Sequence, residues 1–76
     1  MKNDNEKIRA LNQIISMIDS QASIYKKERF HMPEARVFAE KKLITDLINE
    51  AVFLAGSMEK KPADVLNDLQ RLKKSL

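Results

Sequence analysis

The sequence has no cysteine, no tryptophan, one glycine and two prolines in 76 residues, and each shortage closes off a class of protein. Without cysteine there is no disulfide, no thiolate nucleophile and no sulfur-ligated metal site. The same absence fits a reducing cytoplasm. So few glycines and prolines cannot supply the tight turns of a sheet protein, and the composition therefore points to helices. A lone glycine also excludes the glycine-rich loops that cradle phosphates. No apolar run approaches the roughly 18 residues that a membrane span requires. The opening MKNDNEKIRA lacks the apolar core of a secretory signal. A soluble, cytoplasmic protein with no membrane partner is expected.

What is present suits a small folded domain. Hydrophobic residues make up 43% and charged residues 33%, a balance too apolar for a disordered tail. A chain this short makes a single helical domain, 1–76, and buries only roughly 60% of the surface its unfolded form exposes. Stability is then marginal unless an oligomer or a partner adds to it. The net charge of +3 permits a nucleic-acid partner without requiring one.

Three amphipathic segments follow one another. In the first, Ile8, Leu11, Ile15, Ile18, Ala22 and Tyr25 recur at steps of three and four, and Ile14, Met17 and Ile24 widen the stripe. The spacing predicts one helix from about residue 4 to about residue 29. Asn3 is placed as its N-cap, with Glu6 completing a capping box. Pro33 ends this helix, because the residue before a proline avoids the α region. Pro33 is then expected as the first residue of a second helix, with Met32 as a poor cap.

The second helix carries apolar residues from Val37 to Ala55. Its AVFLA stretch, residues 51–55, is apolar nearly all round, more than one neighbouring helix covers. Gly56 is placed at the left-handed position that ends many helices. In KKPADVLNDLQRLKKSL, Pro62 is expected at the first helical position, and Val65, Leu66, Leu69, Leu72 and Leu76 form the stripe. This helix is too short to hold by itself and must dock. The expected fold is all-α: a small three-helix bundle of two long antiparallel helices plus a short C-terminal helix, dimerising through the second.

The corner YKKERFHMPEARVFAEKK, residues 25–42, gathers six cations with the only tyrosine and the only histidine. Lys26, Lys27, Arg29, Arg36, Lys41 and Lys42 are candidate contacts to phosphates or to an acidic partner. Glu28, Glu34 and Glu40 are interleaved with them. Helix polarity accounts for much of the pattern, since cations suit the end of helix one and Glu34 the start of helix two. No helix-turn-helix pattern is present. Glu28 and His31 have the Glu-x-x-His spacing of di-iron bundles, but such sites need a second pair and two further glutamates. A charged helix end is expected instead, and Asp46 with Glu50 is expected to form a solvated edge. His31 has no nucleophile motif beside it. No catalysis, cofactor or metal site is expected.

Lys27-Glu28-Arg29-Phe30-His31-Met32-Pro33, preceded by Ala22 and Tyr25 and followed by Ala39 and Glu40, resembles a segment of the theta subunit of bacterial DNA polymerase III. That family consists of small three-helix proteins, and the likeness covers residues 22–40. The resemblance implies an accessory subunit that binds and stabilises a proofreading exonuclease, with no catalysis of its own. Downstream the family's second helix is short and broken by a proline, whereas here it is expected to run to Gly56.

The expected function is therefore that of a small non-enzymatic accessory or regulatory protein, bacterial or phage, that binds a larger protein partner and also forms a homodimer. Leu47, Ala51, Phe53 and Leu54 are the expected partner-binding residues of helix two, with Phe38, Tyr25 and Phe30 toward the corner. Phe53 is the expected anchor of a helix-in-groove contact. The alternatives are a nucleic-acid-binding regulator using the basic corner and a theta-like subunit binding an exonuclease.

Overall fold

In the computed structural model, which describes residues 4–76, the chain forms helix α1 (Asn5–Glu28), a short 3-10 turn (Arg29–His31), helix α2 (Glu34–Gly56) and helix α3 (Ala63–Ser75). The expected three-helix, all-α architecture is present. Helix α1 passes unbroken through Asp19, Ser20 and Gln21 because Leu11, Ile18, Ala22 and Tyr25 stay in register and buried on one side. The expected Asn3 cap lies outside the described residues. Asp4 precedes the helix but makes no side-chain bond to it. Its carboxylate instead reaches the α2–α3 loop and accepts from the backbone N–H groups of Glu59 and Lys60, each at 3.3 Å.

Both prolines sit one position earlier than expected. Met32 is extended (φ −90°, ψ 143°), as its proline neighbour requires. Pro33, at ψ 150°, stays outside α2 as its N-cap. Its carbonyl accepts from Arg36 and Val37 N–H at 3.0 Å. Pro62, at ψ 87°, does the same for α3 and accepts from Leu66 N–H at 3.0 Å. Proline fixes φ near a value that suits the cap and the first turn alike. The freer angle, ψ, is set here by the extended chain arriving at each helix.

Gly56 also differs from expectation. It is the last residue of α2 and has no positive φ. Ser57 turns the chain right-handed, its N–H bonding to the Phe53 and Leu54 carbonyls at 3.1 Å. The Ser57 hydroxyl donates to the Leu54 carbonyl at 2.7 Å. These bonds satisfy the last carbonyls without a left-handed residue.

Helix α1 lies antiparallel to α2 along the full length of the pair, and α3 folds back along the C-terminal half of α2. Lys7 Nζ donates to the Ser57 carbonyl at 2.9 Å, and Lys73 Nζ to Asn49 Oδ1 at 2.9 Å. The core lies between these helices. Ile18, Ile44 and Ile48 are its largest fully buried side chains, each contributing about 1.5–3 kcal/mol by removal from water. Ala51 and Ala55, one turn apart and fully buried, let the helices approach closely. Met58 closes the α2–α3 loop over this core.

The third helix is too short for the other two. With 24 and 23 residues α1 and α2 each extend about 35 Å, whereas the 13 residues of α3 extend about 20 Å. The corner half of the hairpin therefore has no third helix beside it. The molecule measures 49 × 18 × 16 Å, with a radius of gyration of 13.7 Å against about 11.4 Å for a compact chain of this length. Its accessible surface is 5826 Å², whereas a compact monomer of 8.8 kDa exposes about 4,800 Å². About 1,000 Å² of surface is thus open beyond what a chain of this mass needs to expose.

Candidate functional site

The α1–α2 hairpin has one side that faces α3 and one that faces away from it. On α1, Ile15, Ile18 and Asp19 face α3 across a cleft of about 360 Å³, completed by Val65, Asp68, Leu69 and Leu72. On α2, Asn49 marks the α3 side by accepting from Lys73. A helix turns about 100° per residue, so positions three and four apart share a face. The line of α1 pointing away from α3 is Ala10, Ile14, Met17, Gln21, Ile24 and Glu28. The corresponding line of α2 is Arg36, Glu40, Leu43, Leu47, Glu50 and Leu54. Both follow steps of four, three, four, three, four.

Because the helices are antiparallel, these lines run side by side on one surface. The Lys7–Ser57 and Asp4–Lys60 contacts put the start of α1 beside the end of α2, so Met17, Ile24 and Glu28 of α1 run toward the corner alongside Leu47, Leu43, Glu40 and Arg36 of α2 in the opposite chain direction. Met17 and Ile24 are 53% exposed and Leu43 is 47% exposed. Ile14, Leu47 and Leu54 are half-buried, with part of each side chain packed on the core. The surface carries Ile14, Met17, Ile24, Leu43, Leu47 and Leu54, interrupted by Gln21, Glu40 and Glu50, with Glu28 and Arg36 at its corner end.

The residues expected to bind a partner divide three ways. Leu47 and Leu54 lie on this surface. Ala51 and Tyr25 are corrected to core positions: both are buried inside the chain and support the surface from behind. Phe53 is 81% exposed but stands about 100° around α2 from Leu54, so it does not share that face. Phe30 and Phe38 are strongly exposed near the corner, away from Leu47. Met17, Ile24 and Leu43 were not among the expected contacts. Met17 and Ile24 were signalled by the excess width of the α1 stripe, and Leu43 by its place beside Ile44 among the apolar residues of α2.

The basic corner divides as well. Lys41 and Lys42 follow Phe38 by three and four positions and share its side of α2. Arg36 falls instead on the apolar surface. Arg29 holds its guanidinium carbon 4.9 Å from the centre of the Phe30 ring, a cation–π contact. Lys26, Lys27, Lys41 and Lys42 are exposed. Among the described residues none of these four forms an ion pair, so the interleaved Glu28, Glu34 and Glu40 do not neutralise them by contact.

Glu28 ends α1 and His31 closes the 3-10 turn, both exposed. Among the described residues no three His, Cys, Asp or Glu side chains gather as a metal would require. No helix among them is long and apolar enough to cross a membrane. No family model, curated protein or solved structure matches the chain.

Proposed function

We propose that this chain is a non-enzymatic, cytoplasmic accessory or regulatory protein that works by docking another protein onto the α1–α2 surface away from α3. The observation that carries this is the matched pair of lines on α1 and α2. They leave Met17, Ile24 and Leu43 about half exposed on one face, in a chain with about 1,000 Å² more open surface than its mass calls for. Several large apolar side chains exposed on one face of a small protein support an interaction site there. A partner covering it would remove apolar surface from water, the main driving force of association.

A photo-crosslinking residue at position 43 tests this in cells that make the protein. Position 43 should yield discrete protein adducts, while the same residue at position 67, on the outer side of α3, should yield none. Equal yields from the two positions would reject the surface. The resemblance at residues 22–40 proposes a proofreading exonuclease as the partner, and direct binding of such an enzyme tests that narrower form.

A second function is favoured by a different observation. The side chains of Lys26, Lys27, Lys41 and Lys42 form no ion pair among the described residues, and Lys41 and Lys42 share the side of α2 that carries exposed Phe38. Exposed cations beside an aromatic ring suit a nucleic-acid backbone with a stacked base. The two functions use different sides of the hairpin and are separable by mutation.

A further inference from the structure

We propose that the cleft between α1 and α3 binds a small amphiphilic cation. An organic ammonium rests its apolar body against Ile18 and Leu69 there, with its charged head between Asp19 and Asp68. This site lies on the opposite side of the hairpin from the docking surface and does not depend on it.

The cleft arises because α3 packs chiefly on α2 and leaves a gap toward α1. Lys73 is held to Asn49 on the α2 side of α3. The gap has an apolar floor and an anionic rim. Ile18 and Leu69 line it and are buried, whereas Asp19 and Asp68 line it and are exposed. Each aspartate adjoins its buried neighbour in sequence, about 100° around the same helix. One carboxylate therefore borders the gap from each wall. Val65 and Leu72 complete the α3 wall.

Size and charge together select the ligand. A volume of about 360 Å³ falls at the small end of the roughly 300–1,000 Å³ of small-molecule sites, which are mostly apolar with a few placed polar groups. On α1 the wall runs only from Ile15 to Asp19, about 6 Å, shorter than the two turns over which a docked helix sets its anchors. The chain carries 14 Lys and Arg, yet none lines this cleft, so its field is that of the two carboxylates. Among the described residues neither carboxylate accepts a hydrogen bond or forms an ion pair. Two like charges across one gap repel, and a cation between them relieves both. An anion with the same apolar body would meet the same floor under a repelling rim.

Octylammonium tests this, with octanoate as the same kind of tail carrying the opposite charge. Calorimetry of the full chain at low salt should show octylammonium binding at one site and octanoate at least about tenfold more weakly. Amide chemical shifts should move at Asp19, Val65 and Leu72 and stay fixed at Met17, Ile24 and Leu43. Asp19→Asn combined with Asp68→Asn should make the two probes bind alike. Both positions are exposed, and circular dichroism checks that the helix content of the double variant is kept.

Equal binding of octylammonium and octanoate to the native chain would overturn the cation as ligand. Shifts confined to Met17, Ile24 and Leu43 would put the probe on the docking surface and overturn the cleft, as would no saturable binding at all. A lysine-rich peptide that moves the cleft amides where octylammonium does not would give the site to a protein partner and overturn the small-molecule assignment.

Discussion

The Lys7 ammonium donates to the Ser57 carbonyl at 2.9 Å, joining the first turn of α1 to the end of α2 across 50 positions of sequence. Beside it, Asp4 accepts from the Glu59 and Lys60 amides. Together these contacts fasten the α2–α3 loop to the start of α1.

Removing this fastening should loosen one end without unfolding the chain. The contacts are at the surface, so each is worth about 0.5–1 kcal/mol. Asp4→Ala combined with Lys7→Met should speed amide hydrogen exchange at Glu59 and Lys60, with exchange at Ile44 and Ile48 changing much less. Equal acceleration everywhere would show that the contacts hold the whole fold instead of the loop.

Gly56→Ala should stabilise the protein by about 0.5–1 kcal/mol, since glycine costs that much relative to alanine in a helix. Gly56 is helical, lacks a positive φ, and a methyl group there would meet nothing within 4 Å. Urea unfolding should show a higher midpoint with an unchanged slope. A lower midpoint would mean that the turn at Ser57 depends on glycine after all.

Ile48→Ala should cost about 2–5 kcal/mol, because it empties a site with no exposed surface. Phe53→Asp should stay within about 0.5 kcal/mol and leave the sedimentation behaviour unchanged, since Phe53 faces solvent away from Leu47 and Leu54. Loss of association in Phe53→Asp would move the docking surface to the outer face of α2.

If the basic corner binds nucleic acid, affinity should fall steeply as salt rises. The double variant Lys41→Glu, Lys42→Glu should lower the slope of log affinity against log salt by about one unit for each lost phosphate contact. Met17→Glu should not change that slope. Undetectable binding to single- or double-stranded nucleic acid at low salt would end this function.

Spacing and punctuation alone determined the three helices. The three- and four-residue steps from Ile8 to Tyr25 hold α1 together through its polar middle, and two prolines with a single glycine set the interruptions. Local backbone sterics act through neighbouring residues, so they are visible in a linear chain. The side of each helix that is covered was decided only by tertiary structure. Ala51 and Phe53 share one apolar run, yet Ala51 is sealed in the core while Phe53 faces water. Pro33 and Pro62 took cap positions set by the chain arriving at each helix, and Gly56 stayed helical because the turn fell at Ser57. That Met17, Ile24 and Leu43 share an open face required both the antiparallel packing of α1 on α2 and the side on which α3 packs. Periodicity says which residues share a face; only the packed chain decides what that face meets.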